Sequence, residues 1–329
     1  MVPFCWSFDH STAGHRSVSL KLAPACAILP TWWVDPVGDT GGVDLLDELR
    51  TLITRHAVGQ RGPSRRLIDG VQVSRVEEPS GPTAGVLQPS VTIVASGIKQ
   101  TFLNGVGYEY RAGQFLVTSL DLPVIGQALK ASPDEPFVVV SIRLDPMEIA
   151  PLLLETPARP PQYGGLVVSD ATPELLDPVV RLLRIVDRPE DVRVLAAGIR
   201  REILWRLLTG EQGALVRQIG LADGMLAHIS RAIRWIRRHH SEPLLVADLA
   251  ELAGMSSSTF HRHFRAATSM TPIQFQKQIR MQEARILLRT QALTAAEVAY
   301  QVGYTSPAHF TRTYHQAFGR TPGEDRTLP

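Results

Sequence analysis

The chain has 329 residues, 44% of them hydrophobic and 20% charged, and a net charge of only +2. That length allows two domains, each burying its own core. No apolar run of about 18 residues exists to span a membrane, and no basic segment precedes an apolar run as in a secretory signal.

Cys5 and Cys26 are the only cysteines, too few for a disulfide framework or a cysteine metal site, so reduced thiols in a cytoplasmic protein are expected. The charge is unevenly spread. From Met225 onward 13 Lys and Arg stand against 7 Asp and Glu, a net of +6, while the remainder carries 21 against 25, a net of −4. A basic C-terminal third beside a mildly acidic front fits a nucleic-acid module attached to something else.

In chain order, residues 1–42 lack any period and hold scattered Pro, Gly, Trp and Ser, which predicts a poorly ordered extension. Val43 to His56 reads as a helix, with Leu45, Leu46, Leu49, Leu52 and Ile53 on one face. Beyond it, short runs rich in Val, Ile, Phe and Tyr alternate with turn signals. They are 71–76, 90–95, 99–103, 115–118 and 137–142, with Asn104-Gly105 as a two-residue hairpin turn. Such strands argue a sandwich or small barrel.

Residues 173–186 and 191–209 read as two amphipathic helices parted by Asp187-Arg188-Pro189, with Pro189 suited to a first helical turn. Leu183 and Ile203 sit on the two apolar stripes. These stripes are expected to form or support a subunit interface, although a helix hairpin folded onto its own barrel explains the same pattern.

Near the C-terminus one motif occurs twice, about fifty positions apart. Asp248-Leu249-Ala250-Glu251-Leu252-Ala253-Gly254-Met255-Ser256 precedes Phe260, Arg262 and Phe264. Glu297-Val298-Ala299-Tyr300-Gln301-Val302-Gly303-Tyr304-Thr305-Ser306 precedes Phe310, Arg312 and Tyr314. Each reads as helix, glycine turn, helix, over 246–267 and 294–317. The glycines suit a left-handed turn and Ser256 and Ser306 suit N-caps. Thr271-Pro272 opens a connecting helix to about Leu288, and Thr294 with Glu297 forms a capping box.

Two such units joined by one helix suggest a reader of duplex DNA. A connecting helix of roughly 25 Å, at 1.5 Å per residue, brings two recognition helices to the order of one DNA turn, ~34 Å, apart. The apolar spacing turns Phe260, Phe264, Phe310 and Tyr314 inward. It leaves Ser257, Ser258, His261 and Arg262, and Ala308, His309, Thr311 and Arg312, as candidate DNA contacts. Arg is the usual bidentate reader of guanine.

This tandem arrangement, with the tail Phe318-Gly319-Arg320-Thr321-Pro322-Gly323-Glu324-Asp325-Arg326, resembles the AraC/XylS family of bacterial transcription regulators over about Gly224 to Arg326. Two departures stand out. Val246 occupies a position where the family often has a Ser or Thr cap, and Pro307 weakens hydrogen bonding by the second recognition helix. Residues 64–156 resemble the N-terminal sensor domain of one subgroup, carried by 87–97 and by Ser119-Leu120-Asp121-Leu122-Pro123-Val124. The resemblance implies a cupin-like β-barrel that binds a small-molecule effector, helices used for homodimerisation, RNA polymerase as a partner, and activation of transcription.

Cupin enzymes hold a metal with two or three histidines and a carboxylate, and no histidine lies between Arg61 and Met225. No metal, cofactor or enzymatic activity is therefore expected. A DNA-repair alkyl acceptor fused to such a DNA module needs four cysteines. Glu77, Glu109, Arg75, Arg111 and Arg143 either meet a ligand or pair across exposed strand faces.

The expectation is an α+β two-domain protein. Residues 43–165 form the sensing domain with its leading helix, 166–223 a helical linker and dimerisation region, and 224–329 the DNA-binding domain. It binds promoter or operator duplexes without membrane attachment. The alternative is a regulator whose barrel only dimerises or docks a protein partner.

Overall fold

A computed structural model describes residues 44–57, 64–157, 159–162 and 164–326, which belong to one compact unit. The extension expected over 1–42 lies outside the described residues. The first helix, α1, is Leu45–Ala57, and it buries Leu49, Leu52 and Ile53.

The strands are β1 Ser64–Ile68, β2 Val71–Val76, β3 Thr83–Leu87, β4 Ser90–Ser96, β5 Ile98–Leu103, β6 Val106–Arg111, β7 Gln114–Thr118, β8 Leu122–Lys130 and β9 Phe137–Arg143. After α2 (Pro146–Ile149) and a 3-10 turn comes β10, Leu166–Asp170. They form two antiparallel sheets, one in the order β1-β2-β9-β4-β7-β10 and one in the order β3-β8-β5-β6. The sheets meet where β6 packs against β4, β7 and β10.

Asn104 and Gly105 close the β5–β6 hairpin at φ 49° and 82°, with Leu103 opposite Val106. A two-residue turn with both central residues left-handed matches the strand twist, and Asn-Gly is the pair that adopts it most readily. By contrast β1, β3, β8 and β10 carry no such signal. In β8, Pro123 and Gly126 interrupt the pattern. Pro123 is tolerated because β5 begins its pairing with β8 only at Ile125, leaving one side of Pro123 without a partner strand.

The remaining helices are α3 Pro173–Arg184, α4 Pro189–Thr209, α5 Gly213–Gly220, α6 Met225–Arg238, α7 Val246–Leu252, α8 Ser257–Thr268, α9 Pro272–Thr290, α10 Ala295–Gln301, α11 Pro307–Phe318 and α12 Pro322–Arg326. Pro173, Pro189, Pro272 and Pro307 stand in first turns, where a missing N–H costs nothing.

α3 packs between α1 and α4. This corrects the expectation that Leu183 and Ile203 lie on a subunit face. They are 0% and 1% exposed within one chain, because α1 and the hairpin partner already cover both stripes. His56 on α1 reaches the Leu183 carbonyl at 3.2 Å. On α4 the exposed apolar residues are Val194 and Leu195 instead.

The C-terminal half docks on the second sheet. α9 packs on β8, and Gln282 donates to the carbonyls of Gly85 at 2.9 Å and Val124 at 3.3 Å. The apolar cores divide unexpectedly. Phe260, Phe264 and Phe275 belong to a cluster continuous with the sensor core. Met281, Leu288, Val298, Phe310 and Tyr314 form a second, separate cluster. α9 runs through both.

Candidate nucleic-acid interface

The first helix-turn-helix unit consists of α7 and α8. Its turn is made by Gly254 at φ 65°, a conformation that costs an L-residue about 1–2 kcal/mol. Ser256 caps α8 by accepting from the Thr259 N–H. Phe260 and Phe264, both fully buried, stack tilted at 5.4 Å, and Phe264 meets Phe275 of α9 edge-on at 5.6 Å. With that face fixed inward, Ser257, Ser258, His261 and Arg262 are exposed.

α10 and α11 repeat the plan. Thr294 and Glu297 form the expected capping box, which holds the Glu297 carboxyl below its ordinary range through the Thr294 backbone and hydroxyl hydrogen bonds. Ser306 caps α11. Phe310 and Tyr314 pack at 5.6 Å and are fully buried. Ala308, His309 and Arg312 are exposed, and the His309 ring lies edge-on to Tyr304 at 5.4 Å. Thr311 is different: it is half-buried, and its hydroxyl donates to the Pro307 carbonyl at 2.9 Å. That hydrogen is engaged within the helix, so Thr311 can offer a base its methyl group and the acceptor capacity of its oxygen but no donor.

The two units are not identical in register. α7 and α10 start 49 positions apart, whereas α8 and α11 start 50 apart, so the second turn carries one residue more. The N-cap of α7 is Leu245, which makes no side-chain cap, so the position without a hydroxyl is one residue before the expected Val246, which is the first helical residue. Arg262 and Arg312 nonetheless fall six residues after their caps, Ser256 and Ser306. Neither has a carboxylate partner among the described residues, so both guanidiniums are available to DNA.

What holds the two units together could not be read from spacing. Arg280 on α9 donates to the carbonyls of His240, Glu242 and Gly303, at 2.5, 2.9 and 3.0 Å. Gln276 donates to the first two of these. One guanidinium thus fastens the loop after α6 to the turn of the second unit. The only cue in sequence is that Gln276 and Arg280 lie four apart on one helix face.

The tail is held by Asp325, which is fully buried between Arg285 at 2.9 Å, Arg289 at 2.9 Å and the Tyr314 hydroxyl at 2.6 Å. Burial pushes its carboxyl up, but the hydrogen bonds from Tyr314 and Arg289 and the two arginine charges prevail and hold it below the ordinary range. On α8, burial and then the neighbouring Arg262 lower the His263 imidazole. Both effects favour the neutral form of His263.

Of the strand residues expected to meet a ligand or a cross-strand partner, Arg75 pairs with Glu77 along its own strand end, and Glu109 and Arg111 are exposed on β6. Arg143 and Arg75 line two separate cavities, Arg143 beside Gln72 and Arg66, and Arg75 beside Ser96 and Thr54.

Two family models match the chain. One describes an AraC-type transcriptional regulator N-terminus and covers residues 67–215, and the other describes a helix-turn-helix domain and covers 249–327. The HTH-type transcriptional activator RhaS of Salmonella typhimurium is 28% identical over 155 residues, 46% of this chain and 54% of that protein. The chain thus spans about half the length of the curated relatives it matches. Among solved structures, ToxT from Vibrio cholerae is similar at 12% identity with a TM-score of 0.52, covering 80% of this chain and 98% of the other. A second, apo form of ToxT is similar at 10% identity and a TM-score of 0.50, with the same coverage. These likenesses concern the two-domain fold.

Proposed function

The chain belongs to the AraC/XylS family of transcriptional regulators, and from that premise we propose that it is a sequence-specific DNA-binding regulator that activates transcription. The observation that carries the reading is the pair of capped helices, α8 and α11, with buried aromatic faces and an unpaired arginine at the same position of each. α9, with 19 residues, is roughly 28 Å long at 1.5 Å per residue, which suits recognition helices one DNA turn apart.

In this reading Ser257, Ser258, His261 and Arg262 read one segment of major groove, and Ala308, His309, Thr311 and Arg312 the next. The second helix offers fewer hydrogen bonds, because Pro307 and Ala308 have no polar side-chain group and the Thr311 hydroxyl has its hydrogen engaged. It contributes more through Arg312 and phosphates than through base edges. The direction of regulation follows RhaS, whose name is that of an activator. On family grounds RNA polymerase is the partner in activation, the cytoplasm is the compartment, and the working form is a homodimer. The N-terminal domain binds a small-molecule effector. Its two-sheet architecture and the cavity at the edge of its first sheet support that role.

The test is selection of duplexes bound by the full chain from a random pool, followed by affinity measurements on the selected site. Arg262→Ala should cost roughly 1–3 kcal/mol on that site and relax preference at one base pair, with a smaller loss on random DNA. Absence of any enriched sequence would overturn sequence-specific binding. Equal losses on both DNAs would reduce Arg262 to a phosphate contact.

A further inference from the structure

A cavity of about 350 Å³ opens at the edge of the first sheet and reaches α6. Its size is within the range of small-molecule sites. Its walls come from both sheets and from the DNA-binding half. Gln72, Thr92 and Ser141 line it from β2, β4 and β9, Val86 and Leu87 from β3, and Arg237 from α6.

The charge of the lining is one-sided. Arg66, Arg143 and Arg237 face a single carboxylate, Asp69. Asp69 is already engaged by Arg143 at 2.9 Å. Arg237 pairs with Asp121, which lies outside this lining. Arg66 has no ion pair among the described residues. Three guanidiniums held on three separate elements, with one left over, form an electrostatic arrangement that an anion completes. The other polar lining side chains are the amides of Gln72 and Gln88 and the hydroxyls of Ser90, Thr92 and Ser141. Thr92 and Ser141 hydrogen-bond each other at 2.8 Å, and each oxygen keeps acceptor capacity.

We propose that this cavity is the effector site and that it takes a small polyhydroxylated anion, with the acidic group among Arg66, Arg143 and Arg237 and hydroxyls against Gln72, Thr92 and Ser141. The inference deepens the sensor reading above and rests on it. It also gives the sensor a route to DNA. Arg237 belongs to the first helix of the DNA-binding half and is tied to Asp121 of the sensor. An anion beside Arg237 competes with Asp121 for that guanidinium and weakens the tie. The anionic group can be a carboxylate or a phosphate, since a guanidinium fork recognises both.

The experiment is thermal unfolding of the full chain in gluconate, glucose 6-phosphate and glucose at tens of millimolar, with ionic strength matched by potassium chloride. The comparison variant is Arg66→Gln. Arg66 has no partner to lose, so the variant should melt where the wild type does in chloride. At about ten times its dissociation constant, an anionic probe should raise Tm by about 3 °C over glucose, and the shift should vanish in Arg66→Gln. A shift with gluconate alone assigns a carboxylate, with glucose 6-phosphate alone a phosphate, and with both the shared chemistry.

No shift with either anion overturns the proposal. So does a shift that survives in Arg66→Gln, which belongs to the arginines of the DNA face. Stabilisation by glucose equal to that by the anions overturns the anionic class while leaving a sensing domain in place. None of these outcomes touches duplex selection, so failure here and failure of the DNA-binding reading are distinguishable.

Discussion

The Asn104 side chain, at the tip of the β5–β6 hairpin, donates to the Ser269 carbonyl at the C-terminus of α8, at 2.7 Å. These two are also the non-glycine residues with positive φ among the described residues, 49° and 60°. A hairpin turn of the sensor and the end of the first recognition helix therefore meet through two left-handed backbones. Asn tolerates that conformation better than other residues with a Cβ.

Asn104→Gly should keep the turn and lose the hydrogen bond, at a cost of about 0.5–1.5 kcal/mol. Asn104→Ala should add about 1 kcal/mol of left-handed strain. Urea unfolding of both variants separates the two effects. Equal costs would mean that the backbone conformation adds nothing. Amide exchange at the end of α8 should quicken in both.

The two turn glycines look alike in sequence and should respond differently to substitution. At Gly254 an added Cβ meets nothing within 4 Å, so Gly254→Ala should cost only the left-handed conformation, about 1–2 kcal/mol. At Gly303 the same Cβ falls 2.1 Å from the Ser241 carbonyl oxygen. That is backbone held in place by Arg280 and Gln276, so no rotamer change relieves it. Gly303→Ala should cost on the order of 3 kcal/mol or more and weaken DNA binding through α11. Equal melting temperatures would refute the difference.

Asp325 makes the tail sensitive to acid. Its carboxyl titrates lower folded than unfolded. The stability it confers is complete above its ordinary value of 3.8 and is lost as pH falls through the lower, folded value. Stability of the α9–α12 region should therefore fall below about pH 4. Asp325→Asn should abolish that contribution and, by leaving Arg285 and Arg289 without their buried partner, cost about 3 kcal/mol at pH 7. Denaturant unfolding at pH 7 and pH 3.5 measures both quantities. An unchanged pH slope in the variant would assign the acid sensitivity elsewhere.

Binding to DNA should be steeply salt-dependent, because the module from Met225 onward carries a net +6. Affinity should fall by on the order of 10³ between about 50 and 200 mM salt if six or more phosphates are neutralised. Arg312→Ala should reduce the slope by about one, as for the loss of one phosphate contact. A flat response would remove the electrostatic account.

Charges at Leu183 or Ile203 should unfold the sensor rather than split a dimer, since both positions are enclosed within one chain. Val194→Glu lies on the exposed side of α4 and should leave the fold intact. Circular dichroism and light scattering distinguish the cases. A folded Leu183→Glu protein would contradict the packing of α3 between α1 and α4.

Much of this molecule was legible in one sequence because its signals are local. A glycine after an apolar helix, a hydroxyl residue before the next, Pro at a first turn and Asn-Gly between strands each act over a few residues. They were enough to mark both helix-turn-helix units, the capping box at Thr294 and the β5–β6 hairpin. The spacing of Phe260 and Phe264, and of Phe310 and Tyr314, likewise turns the candidate DNA-contact residues outward, except that Thr311 is half-buried.

What tertiary structure alone decided depends on pairs of residues far apart in the chain. Leu183 and Ile203 have the same apolar spacing whether they face α1 or a second subunit. Nothing local marks Arg280 as the bond between two distant loops, Asp325 as a buried counterion, or Arg66, Arg143 and Arg237 as neighbours. The division of the apolar core within α9, and the crowding at Gly303 but not at Gly254, are likewise set by what packs against them. Periodicity specifies which face of an element is apolar. Only the packed chain specifies what covers that face, because the free energy of burial is indifferent to which apolar surface does the covering.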